Sequence, residues 1–374
     1  MPLVGLAVFA VGLATTVPLP LYGAYAARGG HGAGALALAF ALYAATLIAT
    51  APLLGPLPDR VGRRPCVLLG LALAALSTLA LTAAPGIPAL AAARVAQGLG
   101  MGLATGAGAA WAAELAGGGP EGGRRAARVI AAATIGSFGV GGVLTLAAVV
   151  AWPGSEPPPT FPAHLLLCAL LPWPVARLPE TLAAPAGGWL RRPAFPRGTL
   201  ATTLAILPGW GTTGTVLTSA QAALAAQGRP LAGPLAACAM MLVGVLAQRA
   251  FGGVAPGRAV RIGLGVLVLG AGPTFWGAAT GRTAPLLLGA LAVGVGVYGF
   301  VYLGGLAAVA EAASGEERAR AVAGYFVAAH VGFSAVPLAA GLAVDALGAP
   351  AALGGLWAAA VAAAAFALGL AIRR

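Results

Sequence analysis

The chain has 374 residues, of which 60% are hydrophobic and 8% charged, with a mean hydropathy of +0.93. Soluble domains carry about 25% charged residues, so this composition excludes a water-soluble globule and marks a polytopic membrane protein. The formal net charge of +12 raises nucleic acid as a partner, and the placement of the arginines set out below gives that reading no support.

A helix needs about 20 apolar residues to cross the hydrocarbon, and turn-rich or charged breaks divide the chain into twelve such runs. The first six span 3–26, 34–57, 65–85, 87–115, 128–152 and 159–178. The second six span 199–226, 231–251, 259–279, 284–310, 321–344 and 350–372. The first run ends in Ala24-Tyr25-Ala26, a signal-peptidase-like triplet, but no positive residue precedes it. A secretory leader needs that charge, so the run is read as a retained helix. The sixth run is interrupted by Glu156 to Pro159 and by Pro172 and Pro174. After it comes the longest polar stretch, Pro179 to Gly198, with Gly187-Gly188 and Arg191-Arg192. That stretch is taken as a cytoplasmic linker, 179–198, between an N-terminal half at 1–178 and a C-terminal half at 199–374.

All 21 basic residues are arginine. With the amino terminus inside, 17 of them fall in the cytoplasmic loops and tail, Arg28, Arg229 and Arg282 fall outside, and Arg94 lies within a run. This is the positive-inside bias. The charge therefore reports orientation, with both termini cytoplasmic, and gives no support to nucleic acid. It also settles the sixth run, since without that crossing the arginines from Arg177 onward would lie outside. Cys66, Cys168 and Cys238 stand singly in or beside apolar runs, so neither a disulfide framework nor a metal cluster is indicated.

Residues 55–65 read Gly-Pro-Leu-Pro-Asp-Arg-Val-Gly-Arg-Arg-Pro, a cluster of charge and turn formers between two apolar runs. Asp59 is one of two aspartates in the chain. Gly55, Asp59, Arg60, Gly62, Arg63 and Arg64 resemble the loop between helices 2 and 3 of the major facilitator superfamily of secondary transporters. The bland alternative is a solvated turn carrying inside charges. Orientation needs arginines but has no use for an Asp, and the functional reading is preferred. Arg94 to Gly98, with Gln97, resembles that family's Arg-x-x-Gln-Gly motif. Gly136 to Gly142 resembles in part its antiporter motif, with Ser137-Phe138 in place of Gly-Pro; Gly139, Gly141 and Gly142 are read as helix-packing positions. Ala-Glu-Leu-Ala at 113–116 with the Arg-rich run to 129 is echoed at 310–322, as expected of two related halves.

The resemblance implies an all-α membrane protein of twelve transmembrane helices in two six-helix pseudo-repeats. It implies that Asp59 caps the eleventh helix in one conformation, the loop arginines pair with Glu114 at the foot of helix 4, and these contacts hold the outward-open state. Helices 1, 4, 7 and 10 line the central cavity in the family. Tyr22, Trp210, Thr213, Tyr298 and Tyr302 are the candidate lining residues here, although threonines often bond back to their own helix. Arg94 either faces the substrate and proton path or snorkels to the interface. His330 is a candidate proton carrier, or else a neutral histidine bonded within the bundle. No Asp or Glu lies in the middle of a run.

The expected function is export of a small amphipathic compound in exchange for protons, in a bacterial cytoplasmic membrane and as a monomer. Uptake, facilitated diffusion and a non-transporting sensor are the alternatives. No cofactor or metal is expected. His31, His164 and His330 are scattered and no midspan acid accompanies them, so an enzyme is not expected.

Overall fold

Spanning segments have no water to bond in the hydrocarbon, so their backbone groups must be satisfied within a helix. The computed structural model describes residues 1–117, 119–185, 192–196, 198–314 and 317–372, and their regular structure is helical. The linker positions 186–191, Arg197, Arg373 and Arg374 lie outside the described residues.

Among the described residues, ten helical stretches are long and apolar enough to cross a membrane. The first, Pro2–Arg28, joins α1 (Pro2–Thr16), a 3-10 turn at Leu19–Leu21 and α2 (Tyr22–Arg28). Then come α3 (Ala33–Leu53), the short α4 (Pro58–Val61), α5 (Arg63–Ala83), α6 (Ile87–Leu115) and α7 (Gly119–Ala151). The sixth and seventh expected crossings are interrupted. The sixth is α8 (Thr160–Leu170) and α9 (Pro172–Ala176), parted where Pro172 lacks an N–H. The seventh is α10 (Leu200–Leu217) and α11 (Ser219–Ala226), parted at Thr218, whose φ of −128° and ψ of −87° are not helical. The chain continues as α12 (Ala232–Phe251), α13 (Pro256–Thr280) and α14 (Thr283–Gly294). A π-helical segment, Val295–Tyr302, leads into α15 (Leu303–Ala312), followed by α16 (Arg318–Leu347) and α17 (Ala349–Ile372).

The chain forms two compact units. One holds Met1–Leu19 and Ala45–Arg191; the other holds Pro20–Ala44 and Arg192–Arg374. In the first unit α1 packs on α5, α6 and α7, and α5 packs along α6. Helices in lipid gain little from burying apolar surface, so small residues that let backbones approach hold them together. Gly70 of α5 shows this: a Cβ there would lie 2.8 Å from the Ala104 Cβ and 3.1 Å from the Gly100 carbonyl oxygen. In the second unit α10 packs on α16 and α17, α13 packs on α14 and α17, and α2 packs on α11. The first N–H groups of α3 are satisfied inside this unit. Asp345, near the end of α16, accepts from the Ala33 and Gly34 amides at 2.8 Å each.

Candidate functional site

The Asp-Arg loop is built in the first unit from its backbone outward. α3 ends as Gly55 N–H bonds the Thr50 carbonyl, and Pro58 starts α4, which carries Asp59 and Arg60. Gly62 then takes φ 109°, a left-handed region that favours glycine, and α5 begins at Arg63. This turn brings Arg63 Nη1 to 2.5 Å from Asp59 Oδ1 and Arg63 Nη2 to 3.2 Å from Glu114 Oε1. Asp59 and Glu114, far apart in sequence, thus share one guanidinium.

A third acid, which the sequence reading passed over, completes the cluster. Glu180 accepts from the Arg63 and Arg64 amides, one on each carboxylate oxygen, at 3.0 Å. It therefore sits on the positive end of α5. Burial alone pushes its pKa up, but amide donors from Arg63, Leu182, Arg64 and Thr181 outweigh that and hold it below the ordinary value. Arg64 Nη1 donates to the carbonyls of Ala176 and Leu178, and the Thr181 hydroxyl donates to Glu114. The available signal was Leu178-Pro179-Glu180-Thr181, an acid straight after an apolar run.

Arg94 and Gln97 are both buried, 2% and 1% exposed. Arg94 Nη1 donates to Gln97 Oε1 at 3.1 Å and to the Thr15 carbonyl at 3.3 Å. Gln97 Nε2 donates to the Ala14 carbonyl at 2.8 Å. Ala14 stands four residues before Pro18, which has no N–H to return to it. The two side chains therefore cover carbonyls exposed where the first helix breaks. Gly141 faces α1 closely, since a Cβ there would run into the Thr16 hydroxyl, while Gly139 is half-buried and Gly142 buried on the same helix.

The second unit gathers most of the candidate lining residues. Trp210 of α10 is the hub: its ring centroid lies 6.1 Å from Tyr302, 5.4 Å from His330 and 5.1 Å from Phe333. Phe326 adjoins Tyr302 and His330, and Phe40 joins Phe333 to Tyr22. Tyr298 and Tyr302 stand on the π-helical segment, a distortion that re-aims side chains and recurs at functional sites. The Trp210 indole nitrogen is buried and has no partner among the described residues. His330 Nδ1 lies 2.7 Å from the Phe326 carbonyl; a carbonyl only accepts, so Nδ1 carries the proton and Nε2 is left as an acceptor. Thr213 bonds back to the Trp210 carbonyl at 2.9 Å. Phe40, Phe326 and Phe333 were not singled out from the sequence, because a phenylalanine in an apolar run gives no sign of which way it faces.

Helices interrupted in midcourse, with polar and aromatic side chains at the interruptions, are how secondary transporters build sites in lipid; the class this fold defines is that of polytopic membrane transporters. A sequence model described as Major Facilitator Superfamily matches residues 4–224, more than half the chain, and the chain belongs to that family. Its fold is similar to three solved structures. The human organic anion transporter MFSD10 is 20% identical with a TM-score of 0.62, over 97% of this chain and 98% of that one. A mutant of the nucleoside transporter NupG is 12% identical with a TM-score of 0.76, over 98% of each chain. A D-xylose-proton symporter is 15% identical with a TM-score of 0.67, over 98% and 95%. A search of curated proteins gives no match.

Proposed function

We propose that the protein exports a small amphipathic compound in exchange for protons by alternating access, in a bacterial cytoplasmic membrane and as a monomer. All twelve runs cross in this reading, the interrupted sixth and seventh included, with six-helix halves at 1–178 and 199–374 joined by a cytoplasmic linker. The observation that carries it is the Trp210 cluster: aromatic faces, an unpartnered indole N–H and an imidazole acceptor suit an apolar ligand bearing a few polar groups. Asp59, which shares the Arg63 guanidinium with Glu114, moves in this proposal to the amino end of α16 in the outward-open state. His330 contributes to proton coupling, while Arg94 and Gln97 hold the break in the first helix.

The test is a substrate screen in inside-out vesicles with a pH-sensitive dye inside. Substrate-dependent proton release from acidified vesicles is expected for an exporter. Substrate movement without proton movement overturns the coupling, and neither movement leaves a sensor. A second reading, uptake by symport, draws on the structural likeness to a D-xylose-proton symporter. In right-side-out vesicles an importer accumulates substrate when the outside is acid, and an exporter does not.

A further inference from the structure

Arg28, Arg229 and Arg282 oppose the positive-inside bias in the proposed topology, and two of them lie side by side. Arg229 Nη1 reaches the Thr283 hydroxyl at 3.4 Å, and Thr283 adjoins Arg282 in sequence. Arg282 in turn holds its guanidinium 4.9 Å from the ring centroid of Trp276. Both arginines are exposed, and among the described residues neither is paired with a carboxylate. Asp345 is engaged with the α3 amides. Trp276 also lines a groove of about 750 Å³ between α13, α14 and α17. Pro273, Leu288, Leu353 and Trp357 line it with Trp276. Trp276 is 51% exposed, Leu288 69% and Trp357 43%. The volume lies in the range of small-molecule sites, and the lining is almost wholly apolar.

We propose that this groove holds one acyl chain of an anionic phospholipid, whose phosphate rests between Arg282 and Arg229. An apolar slot facing lipid takes a hydrocarbon chain, and two cations beside it, neither paired with a carboxylate among the described residues, select a phosphate. A zwitterionic headgroup brings an ammonium for which the mouth has no acid, so net negative charge is the distinguishing feature. Trp276, one turn from the end of α13, marks an interfacial depth, where a headgroup and its chain part, while Trp357 bonds the Val268 carbonyl deeper along the same helix. Two arginines on the side where topology disfavours them gain a reason from this occupant. The leaflet and the disfavoured placement of the arginines rest on the proposed orientation; the groove and its two cations do not.

Native mass spectrometry of the full chain in detergent tests it, with phosphatidylglycerol and phosphatidylethanolamine of identical chains added separately. Wild-type protein is expected to retain one phosphatidylglycerol in preference to phosphatidylethanolamine. With each arginine worth roughly fivefold near a membrane surface, the double variant Arg229→Gln, Arg282→Gln is expected to lose about thirtyfold in phosphatidylglycerol affinity. Arg28→Gln, the third arginine on that side, is expected to lose nothing. Gly354→Leu is the second arm: it keeps both cations but fills the groove, and a Cβ at Gly354 meets nothing within 4 Å, so the fold tolerates it. Loss of phosphatidylglycerol retention in this variant is expected. Equal retention of both lipids by the wild type, or undiminished retention by the double variant or by Gly354→Leu, overturns the proposal and leaves ordinary annular lipid. Lipid retention in detergent does not depend on sidedness or transport, so these failures are separate from failure of the proposed function.

Discussion

Gln97 answers a defect that Pro18 creates. A buried carbonyl left without a donor costs about 1–3 kcal/mol, and the Ala14 carbonyl is in that position unless Gln97 Nε2 reaches it at 2.8 Å. Gln97→Leu is therefore expected to lower stability in detergent by about 1–2 kcal/mol, read as the apparent unfolding midpoint. The cost should shrink when Pro18→Ala restores an N–H at the break. A double-mutant cycle with no coupling between positions 18 and 97 would show that the pair are not physically linked. At His330 the question is chemical. Its Nδ1 proton is committed to the Phe326 carbonyl, so Nε2 is the atom that can take up a second proton. His330→Gln keeps hydrogen bonding but cannot carry a proton at working pH. It is expected to abolish substrate gradients driven by a pH gradient while sparing downhill exchange. A full gradient in that variant makes His330 structural.

Among the elements, the start of α5 is where charge and helix meet. Glu180 stands on its first amides, Arg63 bridges to two more acids, and Gly62 supplies the turn. Asp59→Asn is expected to reduce transport severely with near-normal membrane insertion, since it removes one charge-assisted contact. Transport at the wild-type rate in Asp59→Asn would leave the loop a topogenic turn. Glu180→Gln is expected to speed hydrogen exchange at the Arg63 and Arg64 amides roughly two- to fivefold near pH 7. Because the folded pKa is depressed, the carboxylate's stabilisation is present above the ordinary value near 4.5 and is lost as pH falls through the folded value. The difference between wild type and Glu180→Gln should therefore vanish below that folded value. Identical exchange at both pH values would show that the charge contributes nothing to the helix start.

What the sequence showed and what it hid divide along physical lines. Ten long helices were legible because bilayer thickness sets their length and composition marks them. Trp210, Tyr298, Tyr302 and His330 stood out because polar or large aromatic groups are conspicuous in an alanine-rich run. The break at Thr218 was not legible, because no proline or glycine occupies that position and the departure is one of backbone angles alone. Glu180 was passed over, since an acid straight after an apolar run marks a helix end but does not show that the chain folds back onto the start of α5. Phe40 gave no hint of its contact with Phe333 at 4.8 Å, because that pairing joins positions nearly the whole chain apart.

Across the whole molecule the open quantity is sidedness, and it rests on charge. Seventeen of the 21 arginines fall on one side if both termini and the 179–198 linker are cytoplasmic. Flipping the protein would carry those cations across the hydrocarbon during insertion, at a cost the orientation rule reflects. A crossing count that is odd anywhere before the linker would move Arg191 and Arg192 to the other face, so the interrupted sixth run is tested by the same measurement. Gly188→Cys in a background lacking Cys66, Cys168 and Cys238 places one thiol in that linker. It is expected to resist an impermeant maleimide in intact cells and to react once the cells are opened. Met1 extended by a short cysteine-bearing tag should behave in the same way. Rapid labelling of both sites from outside would invert the orientation while keeping an even number of crossings between them. Rapid labelling at Gly188→Cys with a protected amino terminus would mean that α8 and α9 together do not cross, and the second half of the chain would then stand reversed.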